Sequence, residues 1–323
     1  MYRIGESKGI NLYAPRDAYF SYFNSPYFSH SHASAIDIYP AHREWGGPVL
    51  SPISGKLVRI QKTSMGRKKD FPTEDYDFGM AIQPKYSDEN IVRILHCNPT
   101  LKIDDRVEKG DIIGTTLRSR YFNYWTGPHY HIEVMHKDSF RRSTRSYPLK
   151  IPFRYQERKV TGVKTETEFL VSSVSKDNII GYPTEFLHAE IGGYNGLAAM
   201  DADSKTLGIL DGGISHYRHG GVVGHEKESV GSIIHLQNIP IGTVQQSMNY
   251  ASFFQRNTSV LSYLNGILLR GLSCFIYPKQ YTKKGVSPLV LVPKVYDEFT
   301  NSIAENEVLI LKFESDINTI IAK

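Results

Sequence analysis

Thr126-Gly127-Pro128-His129-Tyr130-His131-Ile132-Glu133-Val134 is the stretch on which the reading of this chain turns. From His129 onward it alternates polar and apolar residues, the period of a β-strand with two unlike faces. On such a strand His129, His131 and Glu133 share one face, with ~7 Å between successive members. Two imidazoles and a carboxylate in one row are costly to bury unless a metal or hydrogen-bond partners receive them. Imidazole nitrogen is a standard zinc ligand. The competing reading is a pair of solvated histidines on an exposed sheet face.

Upstream of this strand the pattern is one of short strands and turns. Ser51-Pro52-Ile53-Ser54-Gly55 is a turn, and Lys56-Leu57-Val58-Arg59-Ile60 an alternating strand. Further strands are expected at Phe78–Pro84, Ile91–Cys97 and Tyr130–His136, and Val107–Thr115 reads as a tight turn into a strand. Between them, Gln61–Asp77 is polar, carries Lys62, Arg67, Lys68 and Lys69, and reads as a surface loop. No sustained helical period occurs here, so an all-β, mostly antiparallel first domain is expected over residues 30–136. Residues 1–29 read as a strand-and-loop lead-in. Residues 137–159, with Arg141, Arg142, Arg145, Arg154 and Arg158, read as a basic linker. Residues 160–323 are expected to form a second domain, β-rich or α+β. Its strands are expected near Glu168–Val174, Ile179–Glu190, Ser232–Ile239, Gly271–Tyr277, Leu289–Val295 and Glu307–Glu314, with a helix across Val244–Asn257.

Composition agrees with this division. A chain of 323 residues is too long for one ordinary core. Tyrosine is abundant, 21 residues against 2 tryptophans, which suits half-buried pleated surfaces. The net charge of +5 is a mild excess, and the basic residues form no stripe with interleaved aromatics, so nucleic acid is not an expected partner. The two cysteines, Cys97 and Cys274, are too few for a disulfide framework and read as free, buried thiols. No run approaches the ~18 apolar residues of a membrane helix. The first residues lack the apolar core of a signal peptide, and a cytoplasmic location is the expectation.

Five pieces of the first domain together resemble the lysostaphin/LytM type of zinc metallopeptidase. Gly127-Pro128-His129-Tyr130-His131-Ile132-Glu133 resembles the Gly-Pro-His-x-His-x-Glu signature that closes that fold. Gly47-Pro48-Val49 followed by Pro52-Ile53-Ser54-Gly55-Lys56-Leu57 is similar to its strand-turn-strand. Ile94-Leu95-His96 resembles its apolar-apolar-His strand, and Val107-Glu108-Lys109-Gly110-Asp111 its Gly-Asp turn. His32-Ala33-Ser34-Ala35-Ile36-Asp37 resembles its His…Asp element. These pieces stand in family order across about a third of the chain.

The resemblance implies an antiparallel barrel sandwich holding one zinc ion per chain. His32, Asp37 and His131 would be the ligands, and His96 and His129 the catalytic histidines. Three protein ligands leave one zinc position for water, whose pKa the metal lowers. Glu133 either orients an imidazole through its free N–H or is an exposed strand residue. One departure matters: four residues, not the family's three, separate His32 from Asp37. His30 competes, seven positions before Asp37. His32 is favoured because it needs the smaller insertion, for which Ala33-Ser34-Ala35 is small enough.

Tyr121, Phe122, Tyr124 and Trp125 precede the His-x-His strand and are candidates for a rim gripping an extended peptide. His216, His219 and His225-Glu226, with His188 and His235, read as solvated loop histidines before a second metal site. The implied function is a zinc-dependent endopeptidase acting on a cell-wall-type or other small peptide. The alternative is a catalytically silent binding or regulatory protein on the same scaffold. A phosphotransfer-type carrier would need a reactive histidine but neither Asp37 nor a metal.

Overall fold

A computed structural model describes residues 1–224, 228–256 and 260–315. The chain is all-β, with 50% of its residues in strands and 4% in helix. It divides into two compact units. Unit 1 is Met1–Tyr22 with Tyr27–Pro152, and unit 2 is Phe23–Pro26 with Phe153–Lys323.

Unit 1 contains strands β1 (Tyr2–Ser7), β2 (Ile10–Ala14) and β3 (Tyr19–Ser21), and a one-turn helix α1 (Phe28–Ser31). There follow β4 (Ala35–Tyr39), β5 (Pro48–Leu50), β6 (Gly55–Ser64), β7 (Tyr76–Pro84) and β8 (Asn90–Leu95). The last are β9 (Cys97–Pro99), β10 (Arg106–Val107), β11 (Ile112–Thr116) and β12 (Tyr130–His136). Seven of them form an antiparallel sheet in the order β10-β6-β7-β8-β12-β4-β3. A second sheet has the order β5-β11-β9, and β1 pairs with β2.

The expected closing strand, Tyr130–His136, is β12, and it lies between β8 and β4 inside the large sheet. It is buried on both faces for opposite reasons. Tyr130, Ile132 and Val134 are fully buried on the apolar face, each contributing about 1.5–3 kcal/mol relative to exposure. His131 and Glu133 occupy the other face and are buried as well. Register sets the site: His131 stands directly opposite Asp37 of β4 and Leu95 of β8.

Two expected boundaries shift. Residues 1–29 are not a lead-in, because Ile4, Ile10, Leu12, Phe20 and Tyr22 are fully buried. Nor is 137–159 a linker throughout. Short 3-10 turns cover Lys137–Ser139 and Ser143–Arg145, and Phe140 packs against Ala81, Ile91 and Met135. The unit boundary falls after Pro152. The expected polar loop is also shorter at both ends, since β6 runs to Ser64 and β7 begins at Tyr76.

In unit 2 the strands pair into one large, mostly continuous antiparallel sheet around a core that includes Phe169, Leu210, Phe254, Leu291 and Phe313. Within it the Phe23 N–H donates to Asp211 at 3.2 Å. The helix expected across Val244–Asn257 is instead a hairpin of Ile239–Met248 with Ala251–Gln255; Asn257 lies outside the described residues. Val244, Ala251 and Phe254 recur at near-helical spacing, but they are buried from two strands, with Val244 opposite Phe254. Both cysteines are free and buried, as expected. Among the described residues no helix is long and apolar enough to cross a membrane.

Candidate metal centre

Asp37 and His131 are cross-strand neighbours, so their side chains meet by ladder geometry alone. His131 Nδ1 lies 2.8 Å from Asp37 Oδ1. The third member is His30. Its Nε2 lies 3.1 Å from His131 Nδ1 and 3.3 Å from Asp37 Oδ1. All three residues are buried, and together they form a group that can hold a metal ion.

His32, the favoured first ligand in the sequence reading, does not join this cluster. Its ring stacks on Phe28 at 3.9 Å, and its Nδ1 lies 2.9 Å from Ser31 Oγ and 3.0 Å from the Phe28 carbonyl. The reason is local. Residues 28–34 are not a bulged strand but a helical turn, followed by Ala33 in a left-handed conformation (φ 44°). The Ser34 N–H returns to the Ser29 carbonyl at 2.8 Å. That turn brings His30 to Asp37 across seven positions and leaves His32 outside.

The outer hydrogen bonds decide which nitrogens face inward. His30 Nδ1 donates to the Tyr22 carbonyl at 2.8 Å, so its Nε2 is an acceptor. His131 Nε2 donates to Glu133 Oε1 at 2.5 Å, so its Nδ1 offers a lone pair. With both rings neutral, three acceptor atoms converge here, an arrangement that suits a cation. Zinc bonds of about 2.0–2.1 Å in tetrahedral geometry place ligand atoms about 3.3 Å apart. The observed separations of 2.8, 3.1 and 3.3 Å lie at or somewhat below the edge of such a triangle. Without a metal a proton takes that place. Burial alone would lower the His131 pKa, but the carboxylates of Glu133 and Asp37 outweigh it and raise it. Burial likewise works against the Asp37 carboxylate, yet His30, His129 and His131 hold its pKa well below the usual range.

Glu133 is no exposed strand residue. It is fully buried, accepts two bonds from Arg93 at 2.9 Å each, and also accepts from His131 and Ser146. Arg93 in turn donates to the Phe140 carbonyl at 2.7 Å. Burial would raise the Glu133 pKa, but these cationic and hydroxyl partners, His131 first, keep it ionised. The position behind a ligand imidazole is the one that fixes its tautomer.

Two more imidazoles border the cluster. His129 has its Nδ1 on the Gly127 carbonyl at 2.9 Å and its Nε2 3.9 Å from Asp37 Oδ2. Burial pushes its pKa down to about 4, against the pull of Asp37. His96 follows β8 at a corner with φ 63°, and its ring centroid lies 5.4 Å from that of His129 and 6.2 Å from that of His131. Its Nδ1 meets Asp77 Oδ2 at 2.6 Å. Phe122 packs on both, with centroids 4.5 Å from His96 and 5.0 Å from His129.

Of the expected rim, Tyr121 lies beside His96 at 5.3 Å and stacks on Tyr27 at 4.7 Å. Tyr124 and Trp125 pack edge-to-face on each other, and Tyr124 on Phe71. Sequence reasoning missed Asp77, Arg93, Ser146 and Tyr27. Only Arg93 carried a signal, as a lone cation within an otherwise apolar strand. In unit 2, His216 and His219 contact Ser273 and the Ser25 carbonyl, respectively. No second metal-holding group forms among the described residues, and His225 and Glu226 lie outside them.

An all-β unit around a buried His–Asp–His centre, bordered by two further imidazoles, is thus the class that fold and site define. Residues 11–151 match a family described as "Domain of unknown function (DUF8155) N-terminal domain". No curated protein matches the chain. Among solved structures, a variant of the catalytic domain of the prophage-encoded M23 protein EnpA from Enterococcus faecalis is 23% identical, over 32% of this chain and 68% of that one, at a TM-score of 0.24. The solution structure of lysostaphin is 14% identical over 87% of each chain, also at a TM-score of 0.24. At these scores the likenesses carry no argument for activity, and any functional reading rests on the site itself.

Proposed function

We propose that unit 1 is a zinc-dependent peptidase of the LytM type, with His30, Asp37 and His131 as ligands and His96 and His129 as the catalytic imidazoles. The observation that carries this reading is the convergence of three acceptor atoms at 2.8–3.3 Å with their tautomers set from outside. When bound, zinc would supply a polarised water and a Lewis acid for the peptide carbonyl. The rest is the work of the chain's own groups. His30, Asp37 and His131 leave one tetrahedral position open. His129, with its Nδ1–H committed to Gly127, presents Nε2 over Asp37. His96 presents a second imidazole across from it. Two imidazoles on one site suit the two proton movements of amide hydrolysis, one from water and one to the leaving nitrogen. Tyr27, Tyr121 and Phe122 form an aromatic wall beside them, suited to an extended peptide of small residues. The substrate class, a cell-wall-type or other small peptide, follows from the motif resemblance.

Elemental analysis of the purified protein tests this reading. About one zinc per chain is expected, retained in His32→Ala and lost in His30→Ala and His131→Ala. Zinc-loaded protein should then cleave members of a peptide library, and a His129→Ala variant should not. A wild type that takes up no zinc on reconstitution, or that keeps zinc without His30, overturns the assignment.

A further inference from the structure

We propose that Asp77 is a positioning residue for His96, fixing its imidazole as the Nδ1–H tautomer so that Nε2 is the bare nitrogen available to the site. The catalytic meaning of this rests on the peptidase reading, while the tautomer itself can be tested without it.

Asp77 is 7% exposed and sits at the start of β7. Its carboxylate meets three donors. Oδ1 accepts the Phe78 N–H at 2.7 Å, and Oδ2 accepts the Ser119 hydroxyl at 2.8 Å and His96 Nδ1–H at 2.6 Å. Burial raises its pKa, but His96 and these donors outweigh burial and lower it, so the group is an anion and only an acceptor. A hydrogen bond to such a group requires a proton on His96 Nδ1. In a neutral ring that leaves Nε2 unprotonated.

The backbone holds the ring where this bond can form. His96 adopts a left-handed conformation (φ 63°) that is unfavourable for a non-glycine residue. It is held there from both sides. The His96 N–H donates to the Phe78 carbonyl at 3.2 Å, and its carbonyl accepts from the Leu117 N–H at 3.0 Å. Phe78, whose amide fixes Asp77, therefore also fixes the main chain of His96. Ser119 extends the arrangement, since its fully buried hydroxyl accepts from the Tyr121 N–H at 3.3 Å. One carboxylate thus ties β7, the His96 corner and the aromatic loop together.

His129 shows what is particular here. Its Nδ1 donates to a backbone carbonyl, which fixes a tautomer but carries no charge. The carboxylate behind His96 fixes the tautomer and also offsets charge on the ring, as in carboxylate–histidine pairs of hydrolases generally. The two catalytic imidazoles are therefore supported unequally, by a carboxylate and by a carbonyl.

The test is two-bond ¹H–¹⁵N correlation NMR on the full-length, zinc-reconstituted protein labelled with ¹⁵N-histidine, at alkaline pH. The His96 signals are those absent from His96→Gln. The wild type should show a protonated Nδ1 and a bare Nε2. Asp77→Asn, which can donate as well as accept, should lose the fixed tautomer, and Asp77→Glu should restore it. Ser119→Ala, a milder change, should shift the His96 Nδ1 signal without moving the proton. A protonated Nε2 in the wild type overturns the proposal, as does an unchanged tautomer in folded Asp77→Asn. Failure of zinc binding in the wild type would instead overturn the peptidase reading, and the tautomer result would stand apart from it.

Discussion

The two units share a secondary structure and differ in how they bury polar groups. Unit 1 gathers His30, Asp37, His131 and Glu133 on adjoining strands, with His96 and His129 beside them. Unit 2 also buries polar side chains, among them Asp211 and Asn195, yet among the described residues they assemble no metal-holding group. Its His188 Nδ1 donates to the Phe186 carbonyl, two residues away, and burial holds its ring neutral. Strand content therefore says little about chemistry. What distinguishes the units is whether buried acceptors converge or disperse.

The contrast can be broken at its strongest point. Asp37→Ala should abolish zinc binding, from about one ion per chain to none by elemental analysis, because two imidazoles alone leave the site without its anion. Retention of stoichiometric zinc would mean that convergence in unit 1 is not a metal site. Next in size is Glu133→Ala. It leaves the Arg93 guanidinium buried without its carboxylate and should cost about 3–5 kcal/mol in urea denaturation. It should also weaken zinc affinity about 10–100-fold by freeing the His131 ring.

A third experiment sharpens the contrast from the side of unit 2. Burial lowers the His188 pKa to about 4, so below about 6.5 the unfolded chain takes a proton that the folded chain refuses. Its stability contribution is present above that value and is lost as pH falls toward 4, by about 3 kcal/mol in all. Urea midpoints at pH 7 and 4.5 should therefore differ more in the wild type than in His188→Gln. Equal differences would mean that the ring is solvated and protonated in the fold. The smallest effect belongs to His32→Ala, which should keep its zinc and change stability by no more than about 0.5 kcal/mol.

How far the sequence revealed these features depended on the length over which a signal ran. β12 was legible because residues 129–134 alternate without interruption, and Asp37 because it closes a His…Asp element. His30 was ranked behind His32 because α1 is a single turn of four residues, too short to show a period. Asp77 was hidden differently. It ends a polar stretch that reads as solvent-facing, and only the pairing of β7 with β8 brings it next to His96. In unit 2 the strands at Glu166–Val174, Leu289–Val292 and Val308–Ser315 were readable, whereas Tyr194–Met200, Lys205–Ile214 and His219–Val223 were not. The hairpin around Asn249-Tyr250 was not, since apolar residues on two paired strands reproduced the spacing of one helix.

The register of β4 against β12 has a consequence for synthesis. Asp37 and His131 stand 94 positions apart in sequence but are direct partners in the ladder. A slip of one residue would turn one of them to the opposite face. A growing chain exposes His30 and Asp37 early, yet the third donor arrives only with the last strand of the unit. On the proposed zinc reading, ion capture would wait for nearly the whole unit to leave the ribosome, and would then reward only the correctly paired sheet. The centre would act as a late lock on a long-range pairing, so that a half-made unit cannot become an active one.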